Sequence, residues 1–101
     1  MISLILWEVN WTVMTSEFQG DPEGVVKTRI STLERIKEEV DSGVIKMWGV
    51  SPAGGRGFMV FEGDEKALFA QIQKSAPRFK CKVEAMISID EILAQVKGMQ
   101  P

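Results

Sequence analysis

Histidine and tyrosine are both absent from this chain of 101 residues, and cysteine occurs once. The absence of histidine removes the commonest general base at neutral pH and the commonest transition-metal ligand. A single cysteine, Cys81, excludes an internal disulfide, so nothing in the chain requires an oxidising compartment. Any chemistry would have to use carboxylates, lysines, arginines, Cys81 or a cofactor, and the residues predict no particular cofactor, no metal site and no catalytic constellation.

Long apolar runs and an excess of basic residues are also missing. The run at residues 2–7 is interrupted by Ser3 and followed by Glu8, which makes it far too short to span a membrane. The N-terminus lacks the basic region and cleavage site of a signal peptide. The net charge of −2 gives no electrostatic reason to expect nucleic acid as a partner. These features predict a cytoplasmic protein with no membrane partner and one globular domain over residues 1–101.

Two of the expected strands are apolar on both faces. Side chains alternate between the faces of a strand, so a half-exposed strand should alternate apolar with polar residues. In the segments 2–14 and 58–61 both alternating sets are largely apolar. One set of the first strand comprises Ile5, Trp7, Val9, Trp11 and Val13. Because the chain is too short to cover both sheet faces itself, the second face is expected to pack against a second copy of the chain.

Two amphipathic patterns predict helices that connect the strands. Asp21 and Pro22 mark the start of the first helix, and Gly43 marks its end. Its apolar positions, which form one stripe on an otherwise charged helix, are Val26, Ile30, Leu33, Ile36 and Val40. Asp64 is expected to cap the second helix, which Pro77 ends.

The remaining segments complete the predicted fold. Residues 44–50 indicate a second strand, joined to the third through the glycine-rich turn 51–55. Residues 79–87 alternate apolar with largely charged side chains, as expected for an edge strand with one solvent-exposed face. A capping box at residues 88–91 predicts the start of a C-terminal helix. The order β-α-β-β-α-β plus a short helix predicts an α+β, ferredoxin-like fold whose antiparallel sheet has the strand order 4-1-3-2.

Several short segments carry a resemblance to a known superfamily. They are Gly55-Arg56-Gly57-Phe58, Glu62 with Asp64-Glu65-Lys66-Ala67-Leu68, Lys82-Val83-Glu84, and Glu91-Ile92-Leu93. With the element order, they make the chain resemble the dimeric α/β-barrel superfamily, and within it an uncharacterised group of small bacterial domains of unknown function. The resemblance implies a sheet-to-sheet homodimer around a cavity. The superfamily includes monooxygenases, haem-binding and haem-degrading proteins and muconolactone-isomerase-like enzymes, but no histidine of theirs has a counterpart here.

Three residues are the candidates for a ligand site. Trp11 and Trp48 are large aromatics of the kind that line cavities, and packing in the core or the dimer interface is their alternative role. Arg56, in the segment 54–57, is predicted to lie near the end of the first strand, where backbone amides and a guanidinium would bind an anion. The alternative is a hairpin turn that needs glycine, beside a solvated arginine.

The other polar candidates are weaker. Glu8, Asn10 and Glu62 lie on otherwise apolar strands, where a buried carboxylate would be a candidate base, but strand ends in water explain them equally. Cys81 has the pattern of a core cysteine. Residues 57–61 fit half of the RNA-recognition signature, but Arg56 occupies the position of its first stacking aromatic.

The sequence therefore leads to three functional hypotheses. The first is a homodimer that binds a small, partly apolar ligand in an accessory or sensing role. The alternatives are a small cofactor-independent enzyme, of the monooxygenase or isomerase type, and an RNA-recognition-like binder of single strands.

Overall fold

The computed structural model describes residues 1–100. Its elements are β1 (Ile2–Val9), α1 (Trp11–Phe18), α2 (Pro22–Asp41), β2 (Ile45–Val50), β3 (Arg56–Glu62), α3 (Glu65–Gln73), β4 (Phe79–Met86) and α4 (Ile89–Lys97). The strands form one antiparallel sheet in the order β2-β3-β1-β4, which reads β4-β1-β3-β2 from the opposite edge. This α+β architecture, with an open four-stranded sheet, is consistent with a ferredoxin-like fold.

The core lies on one face of the sheet. Its buried apolar residues are Ile5, Trp7, Ile45, Met59 and Phe61. Half-buried residues from α2, α3 and the edge strands pack against them, namely Ile36, Trp48, Leu68, Ile72, Phe79 and Cys81. The central position of β1, paired with β3 on one side and β4 on the other, places Ile5 and Trp7 in the middle of this layer.

The opposite face of the sheet carries the second apolar set. Along β1 the buried residues alternate with half-buried or exposed ones. The apolar residues on this open face are Ile2, Leu4, Leu6, Met47, Phe58, Val60 and Met86. The expectation that β1 and β3 are apolar on both faces is confirmed, and within residues 1–100 the helices leave this face uncovered.

The prediction of a strand over residues 2–14 is wrong beyond Val9. Asn10 caps a helix instead, since its side-chain oxygen accepts a hydrogen bond from the Val13 amide at 3.4 Å. Trp11, Met14 and Phe18 are three and four residues apart, so they share one helical face. Trp11 therefore belongs to α1 and not to a strand face.

The apolar stripe of α2 also departs from the usual arrangement, in which such a stripe faces the core. Val26, Ile30 and Leu33 are each close to half exposed, at 55%, 51% and 45%. The face turned towards the sheet carries Val25, Thr28, Thr32 and Ile36, so Ile36 is the member of the stripe that packs against the core.

A polar contact with α3 explains this orientation. Gln71 and Lys74 donate to the two carboxylate oxygens of Glu39, at 2.7 Å and 3.0 Å. Only 13% of the Glu39 side chain is exposed, and Gln71 is buried. A half-buried carboxylate needs such partners, so this contact holds the Glu39 side of α2 against α3.

The C-terminal helix α4 begins at the expected Ser88 cap, whose hydroxyl accepts from the Glu91 amide at 3.1 Å. Every residue of α4 is exposed. The molecule measures 67 Å along its long axis and 28 Å and 26 Å across. Its radius of gyration of 16.8 Å exceeds the roughly 13 Å of a compact domain of this length. Residues 1–100 therefore form an elongated domain with a helix that the rest of the chain does not cover.

Replacing Gly57 with alanine is expected to destabilise the sheet. Gly57 pairs with Trp7, and an added methyl group would collide with the Gly49 carbonyl oxygen and the Trp7 ring. Overpacking of this kind costs about 1–3 kcal/mol, which a lower urea midpoint would report. The matched control is Gly98→Ala, where the nearest atom lies 3.4 Å away and the backbone is helical. Equal midpoints for the two variants would contradict the close approach of Trp7.

Candidate functional site

A cavity of about 390 Å³ lies between α2 and the core face of the sheet, with α1 at one end. Its volume is within the range of pockets that hold small molecules. The strands contribute tryptophans to its lining, whereas α2 contributes the shorter side chains of Thr28 and Thr32. Between the longer side chains of α2 that also line the cavity, these two threonines leave space opposite the rings.

Aromatic rings form the sheet side of this cavity. The rings of Trp7 and Trp48 are stacked, with centroids 5.5 Å apart and planes inclined by 16°. Phe79 meets Trp7 edge to face at 5.5 Å and 88°. Trp7 is 9% exposed, and Gly57 beside it leaves room for its ring. This cluster is a rigid apolar surface suited to a flat ligand.

The other end of the cavity is closed by α1, through Trp11 and Met14. Arg78, just before β4, holds this helix: its Nε donates to Glu17 Oε2 at 3.1 Å and its Nη2 donates to the second oxygen. The Arg78 guanidinium also lies 5.6 Å from the centre of the Phe18 ring. The hydrogen bond from Arg78 lowers the pKa of Glu17, so the pair is charged at neutral pH.

The polar part of the lining consists largely of donors. Three arginines contribute, Arg29, Arg35 and Arg78, and no aspartate or glutamate does. Trp7 Nε1 and Arg35 Nε are buried and have no acceptor within residues 1–100. Buried N–H groups without an acceptor are rare and costly, and both of these belong to residues that line the cavity.

Cys81 also lines the cavity, and burial raises the pKa of its thiol. A protonated thiol is a poor nucleophile, so Cys81 is unsuited to covalent chemistry at neutral pH.

Among the residues that the structure describes, no three side chains of the metal-binding types cluster together. No described helix is long and apolar enough to cross a membrane.

The structure brings two of the three candidate residues together. Trp11 and Trp48 both line the cavity, from α1 and from β2. Arg56 does not line it: this residue is exposed at the start of β3, opposite Glu8. As the strand pairing predicts, Arg56 shares a surface depression with Asn10, Trp11 and Thr12.

The glycine-rich segment before Arg56 is a hairpin turn. Gly54 and Gly55 have φ angles of +78° and +80°, which glycine adopts without strain. The Gly54 amide donates to the Ser51 carbonyl at 2.7 Å, so it is occupied within the turn. Glu8 and Glu62 are exposed, as expected for strand ends.

Sequence reasoning did not identify Arg35 as part of the site. In the helical pattern Arg35 reads as one charge among many on a solvated surface. Arg35 lines the cavity because of the orientation of α2. That orientation involves the long-range contact of Glu39 with α3, which a helical pattern does not predict. The signal for α1 was present, in Asn10 as a cap followed by apolar residues at helical spacing.

No family model, curated protein or solved structure matches the chain. The geometry of the cavity and of the open sheet face is therefore the basis for a functional proposal.

The contact between Glu17 and Arg78 predicts a pH-dependent contribution to stability. Because the folded pKa of Glu17 lies below its ordinary value of 4.5, the unfolded chain binds the proton more readily. The stabilisation is complete above about pH 4.5 and disappears as the pH falls through the folded pKa. Urea titrations should show Glu17→Gln less stable than the parent at pH 7, with the difference shrinking at pH 3.

The matched control is Glu34→Gln, since Glu34 pairs with no cation across the described part of the chain. A Glu17 variant whose deficit stayed constant between pH 7 and pH 3 would show that the charge of this carboxylate does not stabilise α1.

Proposed function

We propose that the protein is a homodimer that binds a small, partly apolar molecule in an accessory or sensing role. The observation that carries the proposal is the cavity between α2 and the sheet, with its stacked Trp7 and Trp48 and two buried donors without acceptors. Trp11 and Trp48 are proposed as ligand contacts.

Binding is favoured over catalysis by the groups that line the cavity. No carboxylate contributes to the lining, and burial keeps the Cys81 thiol protonated. A general base is most often histidine or a carboxylate, and the lining hydroxyls of Thr28, Thr32 and Ser75 would need such a base beside them to act as nucleophiles. The groups that line the cavity therefore favour binding of a molecule over transfer of its protons.

Filling the cavity tests the binding proposal. Thr32→Phe should occupy the space without removing an apolar contact, since Thr32 is half-buried in the lining. Calorimetric titration with 2-naphthoate and with 2-naphthalenemethanol should give binding to the parent protein and at least about tenfold weaker binding to this variant. Thr15→Phe, on an exposed position of α1, is the matched control and should bind as the parent does.

The parent protein binding neither probe would overturn the proposed cavity function. Equal binding to the parent and to Thr32→Phe would place the ligand elsewhere in the protein.

Self-association is supported by the uncovered apolar residues of the open face, which lie mainly on β1 and β3. Four strands about 4.8 Å apart and about 23 Å long give the whole open face an area of roughly 450 Å² in projection. Charged side chains, among them Lys80, Lys82 and Glu84, occupy part of it, so its apolar part falls well short of the roughly 800 Å² per partner of a stable interface. The exposed apolar residues of α4, among them Ile89, Leu93 and Val96, offer the additional area. A second copy that contacts both surfaces would reach the area a stable dimer needs.

Charged substitutions on the two faces of β3 should have different effects. Phe58 lies on the open face, so Phe58→Glu should convert the dimer to a folded monomer in sedimentation velocity at micromolar concentration. Met59 is buried in the core, so Met59→Glu should unfold the protomer. The control is Phe69→Glu, at a 65% exposed position on α3, which should remain dimeric.

A parent protein that sediments as a monomer, or a Phe58→Glu variant that remains dimeric, would contradict an interface at the open face. A monomer would also make RNA the next partner to test. RNA-binding sheets stack two or three bases on aromatic side chains, and among residues 1–100 the open face presents Phe58 as its one aromatic. Occupation of this face by a second copy fits the residues better.

A further inference from the structure

We infer that the ligand of this cavity is an organic anion: a flat, largely apolar molecule that carries a carboxylate or an equivalent anionic oxygen acceptor. The inference rests on the proposed function and specifies the ligand class for the same site. It follows from the charges of the lining, the hydrogen-bonding groups and the shape of the aromatic wall.

The first argument is the charge of the lining. The chain as a whole has 14 acidic and 12 basic residues, so acidic side chains are the more numerous. The cavity lining nevertheless contains arginines and no carboxylate. Arg78 is neutralised by Glu17. Arg29 and Arg35 make no ion pair within residues 1–100, which leaves positive charge at the cavity. A ligand with a negative charge would complement it.

The second argument is the set of groups without partners. Trp7 Nε1 and Arg35 Nε can only donate hydrogen bonds, and both are buried without an acceptor. Elsewhere around α2 the polar groups are matched, since Gln71 and Lys74 satisfy Glu39. The hydroxyl groups of the lining, on Thr28, Thr32 and Ser75, can accept hydrogen bonds but carry no charge, whereas a carboxylate accepts at two oxygens and would also pair with an arginine.

The third argument excludes a small inorganic anion. The tryptophan pair, Phe79 and Ile36 make most of the wall apolar, and a sulfate or phosphate would leave these surfaces empty. A planar hydrocarbon with one charged end would contact the rings and the donors together. Arg35 is the residue assigned to the charged end, because it is half-buried in the lining and makes no ion pair within residues 1–100, whereas Arg29 is exposed.

The experiment compares a charged probe with a neutral probe of the same skeleton. Calorimetry should show that the parent protein binds 2-naphthoate at least about tenfold more tightly than 2-naphthalenemethanol. Arg35→Gln should remove this preference and leave the affinity for the alcohol unchanged. Arg35→Lys, which keeps the charge but loses the guanidinium fork, should keep part of the preference. Arg56→Gln, outside the cavity, should bind both probes as the parent does.

The outcomes separate this inference from the proposed function. If both probes bind equally and Arg35→Gln changes neither affinity, the cavity binds small molecules but the anion assignment is overturned. If Arg56→Gln removes the preference and Arg35→Gln does not, the charged end lies at the surface depression and the assignment is also overturned. If neither probe binds the parent protein, the cavity function itself fails. Unchanged urea midpoints for the variants would confirm that the comparison concerns folded protein.

Discussion

The contact of Glu39 with Gln71 and Lys74 sets the rotation of α2, and the cavity and the exposed stripe both depend on that rotation. A half-buried carboxylate is unfavourable without hydrogen-bonding partners, so α2 is oriented to bring Glu39 to α3. The same orientation turns Thr28 and Thr32 towards the sheet and Val26 and Ile30 outwards. One polar contact thus leaves a space beside the tryptophans and an apolar stripe on the outside.

The cavity persists because its two sides are held by different contacts. On the sheet side, Trp7 stacks on Trp48 over the room left by Gly57. At the end formed by α1, Arg78 contacts both Glu17 and Phe18. Neither set of contacts involves the threonines of α2, which lie on the opposite side of the cavity. On that side, the hydrogen bonds of Glu39 with Gln71 and Lys74 connect α2 to α3.

The parts of the fold that local pattern determines could be predicted from the sequence. The two-sided strands, the hairpin turn and the Asp21, Asp64 and Ser88 caps are all local features, and the structure confirms them. The strand over residues 2–14 was wrong because Thr12, Val13 and Thr15 favour strands, whereas the Asn10 cap and the contacts of Arg78 stabilise a helix. The role proposed for Arg35 depends on the orientation of α2. That orientation involves the contacts of Glu39 with Gln71 and Lys74, which lie 32 and 35 positions further along the chain, and local periodicity does not reveal such contacts.

The period-two geometry of β1 allows eight residues to serve two surfaces. Ile5 and Trp7 reach the core and the cavity, whereas Leu4 and Leu6 reach the open face. Because neighbouring side chains point in opposite directions, a substitution on one surface leaves the other chemically unchanged. A strand that had only to complete a protomer core could be polar on its second face, as β4 is at Lys80, Lys82 and Glu84. The core of a single chain does not account for the apolar second face of β1, and the proposed second copy would account for it.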